Sequence, residues 1–373
     1  MWRNEKMNQL EIVKQIKELP MASDIINELL NERLPLVMFG AGDLACNVYR
    51  YLKENNVRID SVSVDDNYID SEDNVFSDMD IIPWSELEQK YDSFNVIMGN
   101  CAYELKDVIQ ARQGVNKVFL LFSVNYGVFN TTPLDYIEKH EREYVDAYNS
   151  LADEESRKAF LALLKTRVTG NNDYVTEAFI RPGNFFNNDI FKVGQDEVLL
   201  NVGAYNGDTI KLFLRETDCK YKRIYAVEPD VESLKIVDDY IKDNNLDRFE
   251  ISSIGAYNTE TDLKLNIENH MHAGISDRGN TIHVKCLDEI FDYREPVTIL
   301  EINYFEGVVE ALEGAKDILT QNNPPKLAVT VGFDCRNVYM IPNLIKRINP
   351  SYNLYLRYNH AMTSLLTLYG VSR

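Results

Sequence analysis

The chain has few of the residues that build disulfide and metal sites. Its 373 residues include five cysteines and five histidines, and the cysteines are scattered, with no Cys-x-x-Cys pair. An odd number of isolated cysteines provides neither a disulfide framework nor a metal-binding motif. The sequence therefore predicts reduced thiols, a cytoplasmic location and no bound metal.

Positive charge and long apolar runs are also scarce. The chain has 39 Lys and Arg against 59 Asp and Glu, which gives a formal net charge of −20. Nucleic acids and anionic membranes attract basic surfaces, so we expect neither as a partner. No segment approaches the roughly 18 apolar residues of a membrane span. Hydrophobic residues still make up 45% of the chain, which is enough for the cores of two domains.

Segments typical of strands and helices alternate in two parts of the chain. Residues 1–133 predict a small Rossmann-like domain, and residues 185–373 predict a second α/β domain. Between them, residues 134–184 show helical spacing with little Gly or Pro, so we expect a packed helical connector. Two strand candidates near the C-terminus, at 354–358 and 365–369, predict a hairpin that adds an antiparallel edge to a parallel sheet. The predicted fold class is therefore α/β, with two tandem Rossmann-like domains joined by helices.

The segment VLLNVGAYNGDT is the strongest sign of a ligand site. It places Gly203, Ala204 and Gly207 directly after an apolar strand, where small residues let the backbone approach a ligand. The next strand ends on Glu228, and an acid at that position binds ribose hydroxyls. Asp208 opens the following helix, and its charge suits a ligand with a cationic tail, such as S-adenosylmethionine, better than a pyrophosphate.

A second candidate nucleotide loop lies in the first domain. The segment GAGDLA, with Gly40 and Gly42, follows a strand and opens a helix, and unpaired N–H groups there can hold a pyrophosphate. Asp65, at the tip of the next predicted strand, would then bind ribose. The alternative is a tight turn without a ligand, and the charge of Asp43 beside the second glycine disfavours phosphate.

The motifs of the second domain, taken in order, resemble a known family. NVGAYNGDT, YAVEPD, CLDEI, EALEGA and KLAVTV resemble the FkbM-type S-adenosylmethionine-dependent methyltransferases over residues 185–370. The first domain and the connector also resemble the N-terminal half of longer members. The resemblance implies a methyltransferase-like sheet and S-adenosyl-L-methionine as cofactor. It also implies O-methylation of a sugar, a glycan or a similar small polar acceptor.

The resemblance further implies which residues contact the cofactor. The loop, the ribose-binding acid and the residues that border the adenine correspond to Asn201, Gly203, Ala204, Asn206, Gly207, Glu228, Gly255 and Ala256.

The chain departs from the family pattern where that pattern carries charge. Asn201 stands where Asp is typical, Glu301 where Lys is typical, Asn303 where Asp is typical and Phe305 where Glu is typical. A methyl transfer to a hydroxyl requires removal of a proton, and Asn cannot act as a general base.

The catalytic candidates that remain at this strand end are Asn303, Glu301 and Glu306. His270, His272 and His360 are further polar candidates in predicted loops or at a strand end.

Three functions follow from these patterns. The first is a methyltransferase with a shifted catalytic constellation. The second is a catalytically inactive member of the fold with a binding or scaffold role. The third is a nucleotide- or nucleotide-sugar-binding protein that acts through its first domain. The glycine loop and Glu228 favour cofactor binding, whereas Asn201, Asn303 and Phe305 favour the loss of catalysis.

Overall fold

A computed structural model describes most of the chain, in two compact units. The described residues are 9–19, 21–69, 75–100, 102, 105–121, 132–178, 184–267, 273–275, 279–304, 306–359 and 365–372. The first unit comprises the described residues of 1–141, 158–180 and 360–365, and the second those of 142–157, 181–359 and 366–373. The domain boundaries expected from the sequence, 1–133, 134–184 and 185–373, stay a prediction.

The first unit contains a six-stranded sheet with the order β3-β4-β2-β1-β5-β6. All neighbours are parallel except β3 and β4. Its strands are β1 (Leu36–Phe39), β2 (Ser61–Val64), β3 (Val75–Phe76), β4 (Met79–Pro83), β5 (Phe94–Met98) and β6 (Val115–Phe119). The first six helices are α1 (Gln9–Lys17), α2 (Ala22–Asn31), α3 (Asp43–Glu54), α4 (Trp84–Lys90), α5 (Lys106–Gln110) and α6 (Leu134–Lys139).

This sheet is covered on both faces, which explains the continuous apolar run of its central strand β1. Every residue of β1 is buried, as expected for a central parallel strand between two layers. Met38 packs with Val48 of α3 on one face, and Phe39 packs with Trp84 of α4 on the other. The sequence did not predict β3 and β4.

The segment predicted as a connector is helical. It contains α6 and α7 (Glu141–Ser150), α8 (Glu154–Thr169) and α9 (Asp173–Ala178). The division between the two units passes within α7 and again within α8, so that residues 142–157 group with the second unit. The helices confirm the prediction made from helical spacing.

The second unit is built on a seven-stranded sheet with the order β16-β17-β15-β14-β7-β8-β9. Its strands are β7 (Val198–Val202), β8 (Arg223–Val227), β9 (Phe249–Ser252), β14 (Ile299–Ile302), β15 (Lys326–Thr330), β16 (Tyr352–Tyr358) and β17 (Leu366–Ser372). Its further helices are α10 (Asp208–Glu216), α11 (Val231–Asp243), α12 (Leu287–Ile290), α13 (Val308–Glu313), α14 (Lys316–Thr320) and α15 (Asn337–Ile348).

The order of these strands defines where a ligand can bind. Strand β7 is the first strand of this sheet along the sequence. Strands β8 and β9 add to one side of it, and β14 and β15 then add to the other side. The crevice between β7 and β14 is therefore the topological switch point, where open α/β sheets bind ligands. Strand β17 runs antiparallel to both β15 and β16, which confirms the predicted C-terminal hairpin.

A separate four-stranded sheet lies between β9 and α12 in the sequence. Its order is β10-β13-β11-β12, from β10 (Gly255–Tyr257), β11 (Thr261–Ile267), β12 (Ala273–Ile275) and β13 (Asn280–Cys286). The sequence predicted strands near β11 and β13 but not that they form their own sheet. Both strands alternate polar and apolar residues, and this pattern does not identify the partner strand.

Candidate cofactor and active site

The loop after β7 contains two positions that favour glycine. Gly203 has a φ of +86° and Gly207 a φ of +77°, in the left-handed region that disfavours other residues. A Cβ atom on Gly203 would lie 2.8 Å from the carbonyl oxygen of Asn303. The N–H groups of Gly203 and Ala204 both donate to the carbonyl oxygen of Val227, at 2.9 and 3.1 Å. The loop is thus held against the carboxyl ends of β8 and β14.

Asn206 and Asp208 shape the start of α10. The Asn206 side-chain oxygen accepts a hydrogen bond of 3.0 Å from the N–H of Asp208, and its carbonyl oxygen accepts one from Lys211 Nζ. Asp208 Oδ1 accepts from the N–H of Thr209 at 2.7 Å. The Asp208 carboxylate therefore places a negative charge where the helix dipole would otherwise attract an anion.

Glu228 joins the tip of β8 to the loop. One carboxylate oxygen accepts from the N–H of Tyr205 at 2.8 Å and the other from the N–H of Asp230 at 2.9 Å. The side chain is only 8% exposed. Burial raises the pKa of Glu228, against the two N–H bonds, which lower it. Because each carboxylate oxygen has two lone pairs, Glu228 keeps acceptor capacity for hydroxyl groups of a ligand.

Gly255 and Ala256 lie in β10, beside the tip of β8. A Cβ atom on Gly255 would be 3.0 Å from Val284 Cγ1 and 3.7 Å from the Cβ of Pro229, the residue after Glu228. The structure therefore places Gly255 against the residue that follows the predicted ribose-binding acid, and a cofactor contact of Ala256 stays a prediction.

Asn201 and Glu301 are adjacent in the sheet. They are register partners on the parallel strands β7 and β14, both side chains are fully buried, and Asn201 Nδ2 donates to Glu301 Oε2. Burial raises the pKa of Glu301 well above its usual range, while the bond from Asn201 lowers it and the nearby Asp208 charge raises it further. The two side chains bind each other rather than face an open surface.

Asn303 and Glu306 follow at the carboxyl end of β14. The backbone N–H of Asn303 donates to the carbonyl oxygen of Val202 at 3.1 Å. Its side-chain oxygen accepts from Thr330 Oγ1 at 2.9 Å, which leaves the Nδ2 amide group as the side that can contact a ligand. Glu306 is exposed. The sequence prediction did not include Thr330, although its position at the end of β15 was a usable signal.

The candidate loop of the first unit shares one left-handed glycine with the loop after β7, but its helix N-cap, Gly42, is extended (φ −84°) where Gly207 is left-handed. Gly40 has a φ of +114°, and a Cβ atom there would lie 3.1 Å from the carbonyl oxygen of Gly99, at the end of β5. Gly42 precedes α3, with no atom within 4 Å of a Cβ placed on it. Asp65, however, forms an ion pair of 2.7 Å with Arg112. A nucleotide role for Gly40, Gly42 and Asp65 stays a prediction.

Other predicted features are outside this region or outside the described chain. Phe305, His270, His272 and His360 lie outside the described residues. Within the described parts, no group of three or more His, Cys, Asp or Glu residues is arranged to hold a metal ion. No helix in those parts has the length and apolar character that crossing a membrane requires.

Comparisons with known proteins locate the fold. No protein-family model and no curated protein matches the sequence. The chain is similar in structure to the methyltransferase FkbM from Methylobacillus flagellatus, with a TM-score of 0.69 and 18% identity, over 97% of this chain and 98% of that one. The chain thus has the fold of that protein along almost its whole length.

Two bacterial structures are similar over a smaller part of the chain. An rRNA methylase from Streptococcus thermophilus matches with a TM-score of 0.32 and 14% identity, over 48% of this chain and 89% of that one. A putative methyltransferase from Streptococcus mutans, in complex with SAH, matches with a TM-score of 0.32 and 14% identity, over 47% of this chain and 89% of that one.

Proposed function

We propose that the protein is an S-adenosylmethionine-dependent methyltransferase of the FkbM type. The observation that carries the proposal is the loop between β7 and α10, which Glu228 holds through a hydrogen bond from Tyr205. This loop lies at the switch point of the seven-stranded sheet. The chain has the fold of an FkbM methyltransferase. A glycine loop and an acid at adjacent strand ends form a site for a ligand with a ribose. The charge of Asp208 favours a ligand with a cationic tail over a pyrophosphate.

The residues around the loop fit this cofactor. Gly203, Ala204, Asn206 and Gly207 would border its amino acid part, and Glu228 would accept hydrogen bonds from the ribose hydroxyls. Gly255 and Ala256 would border the adenine, since they lie beside the tip of β8. Bound S-adenosylmethionine supplies an electrophilic methyl group.

The acceptor that suits this site is a hydroxyl of a sugar, a glycan or a similar small polar molecule. Among the three catalytic candidates, Glu306 alone presents an exposed carboxylate, so Glu306 would take the hydroxyl proton as general base. The amide of Asn303, fixed by Thr330, would donate a hydrogen bond that orients the acceptor oxygen. Asn201 and Glu301 are buried in the sheet and contact each other.

The second candidate function is cofactor binding without transfer. It is supported by Asn303, an amide without basic character whose oxygen is already bonded to Thr330. In that case the protein binds S-adenosylmethionine and its demethylated product, and serves as a binding or scaffold protein. A nucleotide function of the first domain has less support, because Asp65 already forms an ion pair with Arg112.

Isothermal titration of the whole chain with S-adenosylmethionine and with S-adenosylhomocysteine tests the proposal. We expect dissociation constants well below 1 mM, which corresponds to about −4 kcal/mol; no heat of binding up to that concentration would refute the cofactor site. Transfer of a labelled methyl group to a panel of sugars then separates the two functions. A Glu306→Gln variant should bind the cofactor as the wild type does and lose transfer by about 100-fold or more. Unchanged transfer would remove Glu306 as the base.

A further inference from the structure

The pair of Asn201 and Glu301 has an unusual feature beyond its burial. Asn201 Nδ2 donates to Glu301 Oε2, while the remaining polar atoms of the same two groups, Asn201 Oδ1 and Glu301 Oε1, are buried without a hydrogen-bond partner. An ionised carboxylate and an amide oxygen are both acceptors, so neither can satisfy the other. Two unsatisfied buried acceptors in one pair would be costly.

The surroundings of Glu301 do not supply a counter-charge. Among the described residues, no Lys, Arg or His forms an ion pair with it. The titratable groups close enough for an electrostatic interaction with Glu301 are Asp208 at the start of α10 and Tyr369 on β17. Asp208 is itself an acid, and the hydroxyl of Tyr369 is engaged with Asn359 Oδ1 at 3.0 Å. A buried carboxylate with an acid nearby and no cation is expected to hold its proton.

A proton on Glu301 Oε1 satisfies both orphaned atoms at once. The carboxylic acid then donates Oε1–H to Asn201 Oδ1 and accepts from Asn201 Nδ2, in a two-bond pair. We propose that Asn201 and Glu301 form this neutral acid–amide pair, and that it is a positioning device which locks β7 to β14 beneath the cofactor loop.

The position of the pair links it to the loop. Two residues after each member of the pair, Gly203 lies against the backbone of Asn303. A Cβ atom on Gly203 would be 2.8 Å from the Asn303 carbonyl oxygen, which is too close. Because the pair fixes the register of β7 and β14, it also fixes the contact of Gly203 with Asn303 that comes next in both segments. This functional part of the inference rests on the proposed cofactor site, whereas the protonation state does not.

The two sequence departures at these positions also gain a common explanation. The family pattern that the sequence resembles has Asp at 201 and Lys at 301, which are opposite charges on register partners. This chain has an amide and an acid there instead, and a protonated Glu301 keeps the pair neutral. Glu301 then acts as a hydrogen-bond donor in the sheet rather than as a general base.

Infrared spectroscopy of the ligand-free protein tests the protonation state directly. At neutral pH the wild type should show the carbonyl band of a protonated carboxylic acid, and Glu301→Gln should lack it. The matched control Glu289→Gln, at an exposed glutamate of α12, should keep it. A wild-type spectrum without the band, or a band that survives in Glu301→Gln, would overturn the proposal.

The pH dependence of urea unfolding gives an independent test. Above about pH 4.5, the usual range of a glutamate, the unfolded chain releases a proton that folded Glu301 keeps. Wild-type stability should therefore fall relative to Glu301→Gln as pH rises, by up to tenfold in the unfolding equilibrium constant per pH unit. Asp208 and Tyr369 are common to both proteins and cancel in the comparison. Parallel profiles would contradict the neutral acid.

The positioning role is tested with the cofactor. Gln at 301 can form the same two bonds with Asn201, so Glu301→Gln should keep S-adenosylmethionine affinity within about twofold. Glu301→Leu should weaken it at least tenfold if it folds, and Asn201→Leu serves as the second variant. Equal affinity in a folded Leu variant would refute positioning. Absence of binding to the wild type would refute the cofactor site instead and leave the infrared and unfolding tests of the pair intact.

Discussion

The glycines of the second unit offer a graded test of how the loop after β7 is built. Gly203 combines a φ of +86° with a 2.8 Å approach to the Asn303 carbonyl oxygen, whereas Gly207 has a φ of +77° and its nearest neighbour at 3.6 Å. Gly194, before β7, has neither feature, because its φ is not in the left-handed region and its nearest neighbour is at 3.5 Å. Alanine at 203 therefore adds both backbone strain and a steric clash, and alanine at 207 adds backbone strain alone. Alanine at 194 adds neither.

The magnitudes follow from these geometries. Replacing Gly by Ala where the backbone permits it stabilises a protein by about 0.4–1 kcal/mol, because the unfolded chain becomes less flexible. Left-handed backbone costs a non-glycine residue about 1–2 kcal/mol, and overpacking costs about 1–3 kcal/mol more. We therefore expect Gly194→Ala to be neutral or slightly stabilising, Gly207→Ala to lose about 1 kcal/mol, and Gly203→Ala to lose about 2–4 kcal/mol.

Urea unfolding of the three variants measures this series, and titration with S-adenosylmethionine measures its effect on the site. Gly203→Ala must displace the loop from Asn303, so its affinity should fall at least tenfold, equivalent to about 1.4 kcal/mol. Gly194→Ala should bind as the wild type does. If Gly203→Ala were as stable as Gly194→Ala and bound equally well, the loop would not be pressed against β14, and the described site geometry would be refuted.

Two further predictions concern charge. Arg357 on β16 binds Asp153, Glu155 and Asp189, so Arg357→Met should destabilise the fold by about 1–3 kcal/mol, because three partly exposed carboxylates lose their cation. The hydrogen bond from Arg357 lowers the pKa of Asp189, so this stabilisation is present above the usual aspartate range and is lost as pH falls through the lowered pKa. Chemical denaturation from pH 7 to pH 3 should show the gap between wild type and variant closing, and a constant gap would contradict the ion-pair account. The hydrogen bond to Asp262 raises the pKa of His283, so its contribution is present below the usual histidine range and is lost as pH rises through the raised pKa. An NMR titration should show a lower pKa for His283 in Asp262→Asn, and an unchanged value would exclude that bond.

Much of the fold follows from the sequence pattern. The apolar run of β7, the small residues after it and the acid that ends β8 identify a strand, a loop and a second strand in the order that places a ligand site. The C-terminal hairpin follows from two apolar segments in succession. These features are local in sequence, since each is a strand, loop or acid whose type is set by residues next to it in the chain.

The interactions that the sequence did not predict are non-local. Asn201 and Glu301 are 100 positions apart, and only the register of β7 and β14 shows that the two departures from the family pattern contact each other. Thr330, which fixes the Asn303 amide, lies on a third strand. The separate sheet of β10 to β13 also escaped prediction, because alternating strands do not specify their partners.

The most direct test of the cofactor site is a comparison of two glutamate variants in one titration. Glu228→Gln changes the carboxylate that holds the loop and would bind the ribose. Glu295→Gln changes one that pairs with Arg223 at the opposite end of β8. We predict that Glu228→Gln weakens S-adenosylmethionine binding by about 1–3 kcal/mol, from a lost charged hydrogen bond, while Glu295→Gln leaves the dissociation constant unchanged. Equal affinities in the two variants would contradict a cofactor site at Glu228.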